Sequence, residues 1–137
     1  MSSILQNGRD RQTPRRELGL FPVLVKADAV IRAGFIVVTD ATGFATEGKA
    51  GAGLTYLGRA EEAIDNTGGA DGDVQVLVRS HNAFFFENSS TDPVTQASFG
   101  KDCFIEDAET VAATDNAGAL SKAGRVVGIE DNGVWVE

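Results

Sequence analysis

The sequence predicts an all-β fold: an antiparallel β sandwich or barrel with short helices or none. Three observations carry this. Valine is the commonest large apolar residue, with 14 copies, and glycine has 16. Valine favours strands and glycine punctuates turns. Short apolar runs recur between clusters of Gly, Asn and Asp, the spacing of a many-stranded β protein. No window of about 11 residues or more carries a 3.6-residue apolar period. Strand–helix alternation, which a parallel α/β sheet requires, is also missing.

Taken in chain order, strands are expected at Val23–Lys26, Gly34–Thr39, Leu54–Ile64, Asp73–Arg79, Ala83–Glu87, Asp102–Glu106, Thr110–Thr114, Arg125–Glu130 and Val134–Val136. The clearest is Asp73–Arg79, where Val74, Val76 and Val78 share one face because strand side chains alternate. Asn132-Gly133 predicts a type I′ hairpin turn before the last strand, since both central residues of that turn need positive φ. One short helix is expected after Thr91-Asp92-Pro93, with Pro93 at its first position, Thr91 or Asp92 as cap, and an end by Gly100.

The 137 residues suit one domain. Val, Ile, Leu and Phe total 36, above the roughly 20% that marks disordered chains. The opening Met1–Asn7 has no apolar stretch, so a secretory signal is not expected. No apolar run approaches the roughly 18 residues of a membrane helix. A single cysteine forbids an internal disulfide and a cysteine-based zinc cluster.

Charge divides the chain. The first 16 residues hold Arg9, Arg11, Arg15 and Arg16 against one acid, Asp10, within a net charge of −8 for the whole. The remainder holds eight bases against 19 acids. This gives a basic arm, residues 1–17, before a single acidic β-rich domain, residues 18–137. An acidic body repels phosphate, so direct nucleic-acid binding is not expected. The arm reads either as a solvated tail, expected to be disordered or extended, or as a segment that docks on an acidic partner.

Residues 34–67 and 100–133 match at six positions when offset by 66, where about two are expected by chance. The pairs are Gly34/Gly100, Leu54/Leu120, Gly58/Gly124, Arg59/Arg125, Asp65/Asp131 and Asn66/Asn132. They suggest a duplicated strand–loop–strand unit; reuse of turn residues is the plainer alternative.

Catalytic constellations are sparse. His81 and Cys103 are the only residues of their kinds, and a Cys-His nucleophile would still need an orienting group. Asp65–Asp73 resembles a calcium loop in composition but lacks the ligand spacing and terminal Glu; it reads as a turn. Glu61 and Glu62 are adjacent, so on a strand they face opposite ways and read as surface charge. No enzyme activity, cofactor or metal is expected.

Ala83–Glu87 holds three consecutive aromatics. Phe84 and Phe86 would point one way and Phe85 the other. Either this strand is central in a closed barrel, or one face meets another chain. Phe84, Phe85, Phe86 and Trp135 are therefore candidate subunit-interface residues, together with the apolar stretch Leu18–Val25.

The C-terminal third carries Phe104-Ile105-Glu106-Asp107, then Thr110-Val111-Ala112, then Ala123-Gly124-Arg125-Val126-Val127-Gly128-Ile129, and closes on Gly133-Val134-Trp135-Val136. The middle carries Tyr56-Leu57-Gly58-Arg59-Ala60 running on to Thr67-Gly68-Gly69. These phrases resemble the head-decoration (capsid cement) proteins of tailed bacteriophages over roughly residues 30–137; residues 1–22 lie outside the resemblance. It implies a β-rich protein on the outer face of the virion capsid, made in the host bacterial cytoplasm. It further implies binding to the major capsid protein, stabilisation of the head, and a homotrimer. Arg9, Arg11, Arg15 and Arg16 become candidate capsid contacts. A virion-displayed module for host surfaces or carbohydrate is the alternative, and it would need an exposed aromatic platform.

Overall fold

The computed structural model describes residues 13–137 and contains twelve strands and one 3-10 turn. The strands are β1 (Leu20–Leu24), β2 (Val30–Ile31), β3 (Ile36–Thr39), β4 (Ala45–Glu47), β5 (Thr55–Ala60), β6 (Ile64–Asp65), β7 (Gln75–Arg79), β8 (Phe84–Asn88), β9 (Asp102–Ile105), β10 (Thr110–Ala112), β11 (Lys122–Glu130) and β12 (Gly133–Val136). The fold is all-β and its sheets are largely antiparallel, as the composition and alternation require.

The strands fall into two halves with the same topology. In the first, the sheet order is β1-β7-β5-β3-β4; in the second, β8 to β12 close into a barrel, β10-β8-β12-β11-β9. Opened at the β8–β10 seam, the second order reads β8-β12-β11-β9-β10. Each half therefore arranges its five main strands as first, fifth, fourth, second, third. The closing contact is also repeated. Asn88 pairs in parallel with Val111, and Val25 makes a parallel bridge to Ala45.

The repeat holds at the level of single residue pairs. Ile36 opposes Arg59 and Val38 opposes Tyr56; Asp102 opposes Arg125 and Phe104 opposes Lys122. The same one-residue bulge lies between the members of each set. The Gly34 N–H donates to the Ala60 carbonyl and the Gly100 N–H to the Val126 carbonyl, both at 2.8 Å, and both glycines have positive φ. Even a side-chain link recurs: Lys26 meets Asp40 at 2.9 Å, and the Ser89 hydroxyl donates to Glu106 at 2.6 Å.

Two of the six sequence matches do not correspond. Asn66 is buried, and its amide donates to the Lys26 and Ala70 carbonyls at 2.9 and 3.1 Å. Asn132 is exposed in the β11–β12 turn. The halves diverge there: the first inserts β6, which pairs with β2, where the second has a two-residue loop.

That loop corrects the expected turn. Glu130 pairs with Gly133, so the loop residues are Asp131 and Asn132, and neither has positive φ. Gly133 instead begins β12, and its missing side chain makes room for the Phe85 ring, which a Cβ there would strike. The helix is also corrected. It is a single 3-10 turn, Gln96–Ser98, with Thr95 rather than Thr91 or Asp92 at its N-cap. Pro93 precedes it, and Asp92 accepts from the Thr114 N–H and hydroxyl at 3.0 and 2.6 Å. Nor does 54–64 run as one strand: it breaks after Ala60, where Glu61 turns to its ion pairs, and resumes as β6.

β3 joins the halves. All four of its residues are buried. Val37 packs with Val25, Ile31, Ala45, Val76 and Val78 in the first-half core. Ile36 and Val38, on its other face, pack with Phe86, Ile105, Val126 and Val134 of the second. A strand covered on both faces reads as a continuous apolar run, and Ile-Val-Val does so. Each such fully buried side chain contributes about 1.5–3 kcal/mol relative to exposure.

Candidate interaction surfaces

Alternation along β1 puts Phe21 and Val23 against the first-half core and leaves Leu20, Pro22 and Leu24 exposed. On the neighbouring strand β7, Val76 and Val78 are buried, so Leu77 shares the outer face and lies directly opposite Pro22. The second half repeats this. Phe86 is buried, and Phe84 is half-buried and packs against the same core. Phe85 faces out, directly opposite Trp135. Of the four aromatic candidates, Phe84 and Phe86 thus serve the chain's own barrel, while Phe85 and Trp135 remain 37% exposed each.

Phe85 and Trp135 form a defined pair. Their ring centroids are 5.0 Å apart and tilted by 54°, a favourable aromatic geometry. Trp135 lies across Gly128, where a Cβ would come within 2.8 Å of the indole. Its indole N–H donates to Glu130 at 2.6 Å. Two glycines and a carboxylate therefore fix both rings on the outer surface.

Charged groups near these faces are mostly paired. Arg59 and Arg79 oppose each other across β5 and β7, and Glu61 lies 3.0 Å from each. The corresponding second-half pair is Arg125 and Glu137, which meet directly at 2.8 Å. Glu61 is held below the usual carboxylate range chiefly by the hydrogen bond from Arg79. Glu62 is exposed.

Arg15 and Arg16 are exposed in the segment that leads to β1. Arg9 and Arg11 lie outside the described residues. Leu18 is 77% exposed at the start of the β1 face.

Cys103 and His81 are not brought together. Cys103 is buried in the second-half core, where burial pushes its thiol up to about 11, and its Sγ–H reaches the Gly124 carbonyl at 3.4 Å. His81 is exposed at positive φ in the loop before β8. The Asp65–Asp73 carboxylates cap backbone groups: Asp71 accepts from the Ala27 N–H, Asp73 from Ala70 and Asp65 from Thr67. Among the described residues, no group of three or more His, Cys, Asp or Glu side chains is placed to hold a metal. Among the same residues, no helix is long and apolar enough to cross a membrane. Tyr56 has a buried hydroxyl without a hydrogen-bond partner, and burial raises its pKa.

The chain is thus a duplicated β protein whose outward features include two apolar strand-pair faces and the residues leading into the first of them. No known protein family, curated protein or solved structure matches it.

Proposed function

We propose that this protein is a structural decoration protein of tailed-phage heads, binding the outer surface of the major capsid protein and stabilising the shell as a homotrimer. The observation that carries the reading is the set of C-terminal phrases that resemble such proteins. They fall on β9, β10, β11 and β12, four of the five strands of the second-half barrel. Their glycines and valines are framework positions, as a binding scaffold needs. The outward apolar faces offer contact surface, and Glu61 and Glu137 near them are engaged in ion pairs. On this reading the chain is no enzyme and needs no cofactor.

The test is quantitative mass spectrometry of purified heads of the phage that encodes the chain, with and without its gene. Stoichiometric presence, and earlier DNA release on heating when the gene is deleted, are expected. Absence from intact heads would overturn the proposal.

One observation favours a second reading. The Phe85–Trp135 pair is an exposed aromatic feature of the kind a carbohydrate-binding module on the virion would require. Fluorescence of Trp135, the only tryptophan, titrated with host-surface glycans distinguishes the two: a saturable change lost in Phe85→Ala, which keeps the reporter, would favour glycan binding.

A further inference from the structure

We propose that copies of this chain associate head to tail, the outer β1/β7 face of one copy packing on the outer β8/β12 face of the next. The two faces are counterparts within the repeat, with Pro22 beside Leu77 on one and Phe85 beside Trp135 on the other. They do not cover each other within one chain: Leu20, Leu24, Phe85 and Trp135 are all between 37% and 43% exposed.

Charge selects a second copy as the occupant. On the first face, Arg59 and Arg79 share the single carboxylate of Glu61, and Arg15 and Arg16, against the one acid Glu17, lie just ahead of β1. On the second face, Glu87 lies beside Phe85, Glu130 holds the indole, and Arg125 is matched by Glu137. One face therefore has a surplus of positive charge and the other a surplus of negative charge. In a body that is acidic as a whole, a positively biased apolar face is the exception. First face against first face would oppose cations, and second against second would oppose carboxylates. First against second lets each apolar pair cover the other while the surrounding charges attract, the arrangement that fixes partner and orientation. Such a contact is heterologous. Every pair of copies keeps one free face of each kind, so assembly proceeds until a ring closes.

The inference rests on the repeat and the charges and goes beyond the shell reading; it is tested on the isolated protein. Leu20→Glu/Leu24→Glu disables the first face at two exposed positions. Trp135→Lys disables the second, and Glu87→Lys does so at an exposed residue that supports no core packing. Circular dichroism checks that each variant folds; if Trp135→Lys does not, Glu87→Lys carries the test. Sedimentation velocity should show a salt-sensitive oligomer for the unaltered chain and a weakening of about tenfold or more in self-association for each variant alone. An equimolar mixture of the two classes should give a dimer of twice 14.4 kDa, because each variant retains the face the other has lost. A monomer for the unaltered chain at concentrations up to about 1 mM would overturn the proposal. So would undiminished self-association of either variant alone, which indicates like-to-like contact, or a mixture that stays monomeric. Failure of the head-occupancy test with success here would sink the shell reading and leave this interface standing.

Discussion

Gly58 and Gly124 occupy the same place in the two halves of the chain. Gly58 lies in β5, where a Cβ would collide with the Arg79 carbonyl at the end of β7; Gly124 lies in β11, where a Cβ would collide with the Glu137 carbonyl just past β12. Arg59 and Arg79 are cross-strand partners, and the Arg125 and Glu137 backbones exchange hydrogen bonds at 3.1 and 2.9 Å. Each glycine thus lets the fifth strand of its half approach the fourth.

Gly58→Ala and Gly124→Ala should each destabilise the protein by about 1–3 kcal/mol, the range for forcing a methyl into a packed site. Gly58→Ala adds strain because its φ is +143. Urea midpoints for both variants check this. Neutral behaviour at either position would mean the close approach relaxes freely, and that half of the equivalence would have no energetic content.

Much of the fold was legible because alternation survives where one strand face is polar. β7 is readable from Val76 and Val78 against Gln75 and Arg79. β2 and β4 were not: Val30-Ile31 is too short to show a period, and Ala-Thr-Glu has no strand signature. The repeat was visible only in its middle, because the offset between halves changes along the chain. It is 63 residues for β1 and β8, 66 for β3 and β9, and 58 for β7 and β12, as the paired registers show. A single slide of the sequence cannot follow that. The outer face of β1 was hidden for another reason: Leu20–Leu24 is apolar throughout, so only the fold separates the buried Phe21 and Val23 from the exposed positions.

Ile36→Ala should destabilise both halves together. Its side chain is fully buried on the β3 face that packs into the second-half core, while Val37 beside it packs into the first. The expected loss is about 2–5 kcal/mol, with one cooperative transition. Equal calorimetric and van't Hoff enthalpies of unfolding are the check. Two separated transitions would show that β3 does not couple the halves.

Stability should fall at the acid end. Asp40 is held well below its ordinary 3.8, first by the Thr42 hydroxyl and then by Lys26. Asp65 is lowered by the Thr67 hydroxyl and Glu61 by Arg79. All three carboxyls favour the charged form in the folded state, so the unfolded chain takes up protons first as pH drops. Their contribution is complete above about pH 5 and is lost as pH falls through the unfolded and then the folded values. Urea midpoints at pH 6 and pH 3 should differ in that sense, and Asp40→Asn should shrink the difference. A midpoint that rises on acidification would contradict the assignment.

On the proposed shell reading, removal of residues 1–16 should lower occupancy on purified heads, with the larger effect at low salt. Arginine makes planar, bidentate contacts to carboxylates, and contacts between exposed charges are screened by salt. Charge alone cannot hold such an arm. Ordering the backbone costs about 1–2 kcal/mol per residue, and surface ion pairs return about 0–1 kcal/mol each. Apolar burial must make up the difference, and the chain offers it where the arm ends: Leu18, 77% exposed, followed by Leu20 on the outer face of β1. Leu18→Ser should therefore reduce occupancy at high salt, where removing the arginines matters least. Full occupancy of the deleted chain at both salts would make the arm a passive tail; loss on deletion with no effect of Leu18→Ser would return the binding to the arginines alone.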